Sequence, residues 1–299
     1  MKIGIDLGGS HIAMGVISNE NEIIDKYEVD IDLKENVKQF IENTIVDKIK
    51  YFSKKYDIKE IGFAVPGIVK NQKISNLFNL GIGEYDIISN INTKLDNPIL
   101  KAIPKKISND GVCAAIAEVK FGNLRQYSNS IFLCLGTGIG GAVCENGNVI
   151  ASNDKIGFEF GHMQVKAGGN LCKCGKYGCF ETYGSMKKLK SDIKQILKLS
   201  ENCQGEYLHN SILQNIDNSD VQKIINNYIK ELVYGISQIA NITNPQAICL
   251  GGGFSYYKDI LFNKFVIEFS KEEFLKIEHT PQITIAKFNN DAGIIGAVN

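Results

Sequence analysis

Between His162 and Glu181 the chain reads HMQVKAGGNLCKCGKYGCFE, which sets His162 ahead of the three thiols of Cys172, Cys174 and Cys179. One imidazole and three thiols at such short intervals match the ligand set of a structural zinc site. Four protein ligands close a tetrahedral shell and leave no open position, so this ion would brace rather than catalyse. Glu159 and Glu181 flank the cluster; taken alone, each reads as a solvated loop carboxylate, the common fate of Glu. Three glycine turns form a second group: Asp6-Leu-Gly8-Gly9-Ser10, Leu135-Gly136-Thr137-Gly138-Ile-Gly-Gly141 and Leu250-Gly251-Gly252-Gly253-Phe254. Without Cβ atoms, backbone N–H groups can approach phosphate oxygens, and the hydroxyls of Ser10 and Thr137 add donors. None ends in the Gly-Lys-Ser/Thr of a P-loop; Gly136-x-Gly138-x-x-Gly141 has the glycine spacing of a dinucleotide motif but leads into a return strand and not a helix, so a Rossmann cofactor is disfavoured. Asn109-Asp110 opens a helix, where spacing alone favours an N-cap.

The elements that must carry these residues fall into two similar halves. Lys2–Leu7, His11–Ser18 and Glu22–Asp30 read as a strand meander bent at the first glycine turn. Leu33–Tyr56 has apolar residues at helical spacing, Glu60–Val65 is a buried strand stopped by Pro66-Gly67, Tyr85–Leu95 is helical and Ile99–Ile107 extended. Asp110–Phe121 is an alanine-rich helix. The pattern then restarts: Ser130–Leu135, the second glycine turn, Gly141–Glu145 and Asn148–Ala151. Strand, glycine turn and return strand occur twice, a weak internal duplication of the kind that yields two α/β lobes with a cleft between them. A triphosphate in such a cleft needs donors from both sides, and the third turn could face the adenine and ribose. Helices follow at Gly184–Leu199 and Ser219–Thr243, then a strand at Gln246–Leu250 and a helix to about Lys276. The segment Asp291-Ala-Gly-Ile-Ile-Gly-Ala297 is a small-residue helix suited to close packing.

Composition excludes several classes. The 33 basic and 33 acidic residues of this 299-residue chain cancel, so no bulk field favours nucleic acid or an anionic membrane. Apolar residues are 44% and charged residues 22%, ordinary for a soluble protein. No apolar run is long enough to span a membrane, and no signal peptide is expected ahead of the first strand. Five of the eight cysteines lie scattered outside the cluster, which suits a reducing cytoplasm rather than a disulfide framework.

The chain resembles the ROK family (repressors, open reading frames and sugar kinases) of the actin-like ATPase superfamily. The resemblance rests on Asp6-x-Gly-Gly-Ser10, Pro66-Gly67, Asn76-Leu77, Asn109-Asp110-Gly111, Gly136-Thr137-Gly138-x-Gly140-Gly141, Glu159-x-x-His162, Cys172-x-Cys174-Gly175-x-x-Gly178-Cys179-x-Glu181 and Gly251-Gly252-Gly253. It implies a two-lobed α/β, ribonuclease H-like fold with a cleft and a structural zinc site. One lobe would take residues 1–110, with 290–299 packing back on it. The other would take 111–289 and include the zinc-binding segment 162–181.

By the same resemblance Asp110 is the general base of a sugar kinase, and Gly67, Asn76, Asn109, Asp110 itself, Glu159, His162 and Glu181 lie at the sugar. Asp6, Gly8, Gly9, Ser10, Gly136, Thr137, Gly138 and Gly251–Gly253 lie at Mg·ATP. The implied cofactors are ATP, Mg²⁺ and a structural Zn²⁺. The implied reaction is transfer of the γ-phosphoryl group to a hexose hydroxyl, with glucose at C6 first and N-acetylmannosamine, N-acetylglucosamine or fructose as alternatives. A sugar-responsive regulator is the reading from another class; with Asp6 so near the start and no net charge, no DNA-binding element is expected. The family often carries Asn two positions after the base, where this chain has Val112. A cytoplasmic homodimer or higher homo-oligomer is expected, with no nucleic-acid or membrane partner.

Overall fold

The apolar runs of the first half become strands buried on both faces, the pattern of a sheet covered on each side. The computed structural model describes residues 1–31, 36–75, 77, 80–150, 158–272 and 280–299. Asn76, Leu33, Ala151 and the stretch 273–276 of the last long predicted helix lie outside the described residues.

Contacts divide the chain into two units. The first is built mainly from Met1–Phe121 and Asn290–Asn299, the second mainly from Gly122–Asn148 and Phe158–Asn289. The expected division at 110/111 therefore moves to 121/122. Helix α4 (Asp110–Phe121) stays with the first unit because it packs on α11 (Ala292–Ala297).

In the first unit β1 (Lys2–Leu7) pairs antiparallel with β2 (His11–Ile17), and β2 with β3 (Ile23–Asp30). On its other side β1 runs parallel to β4 (Glu60–Val65), and β4 to β7 (Lys105–Asn109). The sheet order is β3-β2-β1-β4-β7. Helix α1 (Val37–Lys55) buries Ile41, Ile45, Ile49 and Phe52 in the same core as Ile3, Ile5, Ile61 and Phe63. Asn36 caps it by accepting from the Gln39 N–H at 3.2 Å.

Gly4 of β1 lies in register with Gly62 of β4, and α11 is laid across this side-chain-free pair. A Cβ built on Gly4 would come 2.8 Å from the Ile294 carbonyl carbon, and one on Gly62 would come 3.0 Å from the Val298 nitrogen. Lys2 Nζ holds the Val298 carbonyl at 2.7 Å, so the glycine floor and a cation fix the helix together.

Ile99–Ile107 is not one extended segment. Asn97 caps a short helix α3 (Pro98–Ala102), with Pro at its start, and only Lys105–Asn109 is strand. Asn-Pro is a helix-start signal, and here it overrides the apolar run. A small hairpin, β5 (Ile68–Lys70) with β6 (Lys73–Ser75), and helix α2 (Ile87–Lys94) complete this unit.

The second unit repeats the plan. Strands β8 (Ser130–Leu135) and β9 (Ile139–Glu145) are antiparallel, while β8, β11 (Ala247–Gly252) and β12 (Gln282–Ile285) are parallel. With β10 (Asn148–Val149) the order is β10-β9-β8-β11-β12, the same as in the first sheet. Helices α5 (Glu181–Gly184), α6 (Met186–Ile196), α7 (Gly205–Gln214) and α8 (Ser219–Thr243) follow β10, and α9 (Gly253–Tyr256) and α10 (Lys258–Phe269) follow β11. The stripe Val221, Ile225, Ile229, Leu232, Val233, Ile236 and Ile239 of α8 is buried with Leu133, Leu135 and Leu250. Among the described residues, no helix is long and apolar enough to cross a membrane.

Candidate active site

Strand β7 delivers Asn109, and Asp110 opens α4. Asn109 Oδ1 accepts from the N–H groups of Gly111 at 2.9 Å and Val112 at 3.2 Å, which is the cap that spacing predicts. Its Nδ2 donates to the Gly67 carbonyl at 3.1 Å. Gly67 takes φ 86° in the turn after β4, so that turn and the start of α4 are tied by one side chain. Val112 supplies a backbone N–H here.

The Gly111 N–H also donates to Asp110 Oδ1 at 2.8 Å. Burial pushes the Asp110 carboxyl above its usual range, and that N–H together with Asn109 opposes the rise. Asp6 stands at the end of β1. Burial first, and then the charge of Asp110, push its carboxyl up to about 7. Two carboxyls that sense each other in a partly dry setting take up a proton or a cation readily. Next to Asp6, the Gly8 N–H donates to the His11 carbonyl at 2.9 Å and closes the turn that carries Gly9 and the exposed Ser10.

In the second unit the Gly136 N–H donates to the Gly138 carbonyl at 2.9 Å, leaving Thr137 exposed at the tip. Two elements meet this turn. The Lys187 N–H, in the first turn of α6, donates to the Gly136 carbonyl at 3.1 Å. Gly252, at φ 66°, packs on the end of β8, where a Cβ would come 2.9 Å from the Leu135 carbonyl oxygen; Gly253 faces Met186. Gly251–Gly253, Gly136–Gly138 and the start of α6 therefore form one patch. The sequence reading missed the α6 contribution; Ser185, which caps that helix by accepting from the Lys188 N–H at 3.3 Å, was the available signal.

The His–Cys segment folds into a knuckle. The Gly175 N–H donates to the Cys172 carbonyl at 2.9 Å and the Cys172 N–H to the Lys176 carbonyl at 2.8 Å. The ligand atoms of His162, Cys172, Cys174 and Cys179 all lie within 4.8 Å of one another. His162 Nδ1 is 3.6 Å from Cys172 Sγ, and Cys174 Sγ is 3.6 Å from Cys179 Sγ, separations that suit sulfur and nitrogen around a single tetrahedral ion. Burial pushes the Cys172 thiol up to about 12, whereas a hydrogen bond from the Lys176 backbone N–H lowers Cys174.

Of the flanking carboxylates Glu159 is exposed, as expected, whereas Glu181 is half-buried. His162 Nε2 faces Glu159 at 3.9 Å, leaving Nδ1 toward the cysteines. Glu181 Oε1 accepts from the Cys172 thiol at 3.2 Å. Its Oε2 lies where a Cβ on Gly138 would come within 2.6 Å. Glu181 thus connects the knuckle to the glycine turn, a link invisible in sequence spacing. The structure brings Asp6, Gly8, Gly67, Asn109 and Asp110 together in the first unit. It brings Gly136–Gly138, Glu159, His162, Glu181, Gly251–Gly253 and the three cysteines together in the second.

Two α/β units with one strand order, each opened by a hairpin bent at glycine, define the actin-like two-lobed class. The chain belongs to the ROK family, which it matches over residues 2–299. It is 27% identical to a glucokinase of Halalkalibacterium halodurans over 98% of this chain and 92% of that one. It is also 27% identical to a xylose repressor of Bacillus spizizenii, over 98% of this chain and 75% of the repressor. A ROK family glucokinase from Streptomyces griseus, solved with glucose and AMPPNP, superposes with a TM-score of 0.80 at 23% identity, covering 99% of this chain and 97% of that one.

Proposed function

We propose that the protein is an ATP-dependent hexose kinase that transfers the γ-phosphoryl group of Mg·ATP to a sugar hydroxyl, with the glucose C6 hydroxyl as first acceptor. The observation that carries this reading is Asp110: a buried carboxyl with raised proton affinity at a capped helix start, beside a second carboxyl. A carboxylate whose proton affinity is raised by burial suits deprotonation of an alcohol as it attacks phosphorus. Relatives named glucokinase, matched over nearly the full length of both chains, support the choice of glucose.

Each group has a role. Asp110 takes the hydroxyl proton, and Asn109, held against Gly67, orients ring hydroxyls together with Asn76, Glu159, His162 and Glu181. The turns at Gly8–Ser10 and Gly136–Gly138 present N–H and hydroxyl donors to phosphate oxygens, and Gly251–Gly253 presents a side-chain-free backbone turn to the nucleoside. Mg²⁺ neutralises phosphate charge when bound, and Asp6 is the carboxylate suited to hold it, since a cation there relieves repulsion with Asp110. His162, Cys172, Cys174 and Cys179 would hold Zn²⁺, which fixes the loop bearing Glu159 and Glu181.

A coupled ADP-release assay over glucose, N-acetylmannosamine, N-acetylglucosamine, fructose and allose tests the reading. Sugar-dependent turnover, highest with glucose, is expected. Sugar binding without ADP release for any of them would overturn the kinase assignment in favour of a sugar-responsive regulator.

A further inference from the structure

The small-residue segment Asp291–Ala297 has no part in the proposed chemistry, yet it touches the Asp6 carboxylate and the backbone of the helix that Asp110 opens. A Cβ built on Gly293 would lie 2.6 Å from Asp6 Cγ and overlap Oδ2. Three residues on, a Cβ on Gly296 would lie 2.8 Å from Cys113 Cα. Cys113 sits one turn after Asp110 on α4. One helix therefore meets the Asp6 side chain through Gly293 and the helix that begins at Asp110 through Gly296.

The helix has little freedom to give way. Its backbone rests on Gly4 and Gly62, Lys2 Nζ holds the Val298 carbonyl at 2.7 Å, and Lys26 Nζ holds Asp291 Oδ1 at 2.6 Å just ahead of it. We infer that α11 is the spacer that sets the relation between Asp6 and Asp110, and that Gly293 is the positioning residue holding the Asp6 carboxylate. Any side chain at 293 displaces Asp6 rather than the helix. The inference rests on the reading of Asp6 as the magnesium-side carboxylate and Asp110 as the base.

A double-mutant cycle tests it. Gly293→Ala is expected to lower kcat by about tenfold or more, to raise the Mg²⁺ concentration giving half-maximal rate, and to change KM for glucose by less than about threefold. In an Asp6→Asn background the same substitution should cost less than about twofold further, because the group it displaces is already disabled. Equal losses in the two backgrounds, or an unchanged kcat, would overturn the inference. If Gly293→Ala does not fold, Asp6→Ala in the same chain should restore a cooperative melt by removing the clashing carboxylate; failure to restore it would also count against the contact. Full activity in Asp6→Asn alone would refute the role of Asp6 in the proposed reaction, and the melting rescue would still report on the contact.

Discussion

Cys172 Sγ lies 3.2 Å from Glu181 Oε1, so the candidate metal centre and a residue read as a sugar ligand are in direct contact. A thiolate bound to a metal ion presents different charge and no proton to that carboxylate. Metal occupancy and the orientation of Glu181 therefore change together. Treatment with a strong chelator should remove one ion per chain, lower Tm and raise KM for glucose at least about tenfold, the loss typical when ligand-orienting groups fail. Metal analysis, thermal melts and steady-state kinetics on one sample would check this. An unchanged KM after verified metal loss refutes the bracing role.

Asp110→Asn should leave Tm and glucose affinity near the parent values while kcat falls by about 10²–10⁴-fold, the usual contribution of a general base. Calorimetric glucose binding alongside turnover separates loss of chemistry from loss of the fold.

The carboxyl pair makes stability depend on pH. Asp6 ordinarily titrates at 3.8 and is pushed to about 7 in the folded chain, so between those values the folded state holds a proton that the unfolded state has released. Stability is then fully present below about pH 4 and falls as pH rises through about 7, by on the order of 4 kcal/mol in total. Urea unfolding of the nucleotide-free protein from pH 5 to pH 8 should show this fall. Asp6→Asn should reduce it, leaving the share owed to the raised Asp110 carboxyl; an equal slope in the variant would locate the effect elsewhere.

Gly138 and Glu181 share one space, since a Cβ at 138 meets Glu181 Oε2 at 2.6 Å. Gly138→Ala should consequently raise KM for both ATP and glucose, each by about tenfold, through a single displaced carboxylate. A change in the ATP value alone would show that Glu181 can retreat without consequence.

Gly4→Ala forces a methyl group against the Ile294 carbonyl carbon, 2.8 Å away. Overpacking of this kind costs about 3 kcal/mol where backbone must move. Denaturant melts would measure the loss.

Much of the scaffold was readable in the residues because its signals are local. The limits of β4, α4, β8 and α8 coincide with the ranges that spacing and caps imply, Ser219–Thr243 among them. Helix α7 was missed because Gly205–Gln214 lacks a side-chain cap and follows a polar stretch that reads as loop. Strand β12 was missed because four residues cannot carry a period; it exists through its pairing with β11. For the site, the knuckle and the glycine turns were legible from residue type, whereas the Glu181–Gly138 approach and the Gly293–Asp6 contact depend on segments far apart in sequence. No spacing rule encodes such meetings.

The place of α11 has a consequence for biosynthesis. The first unit is made almost entirely from early sequence, but the glycine row of its central strands stays uncovered until residues 292–297 have been translated. On the ribosome the order of completion is then inverted: the later unit can close its core while the earlier one waits with part of its interior wet. Nascent chains halted before codon 292 should accordingly be protease-sensitive in their first 121 residues, whatever their length.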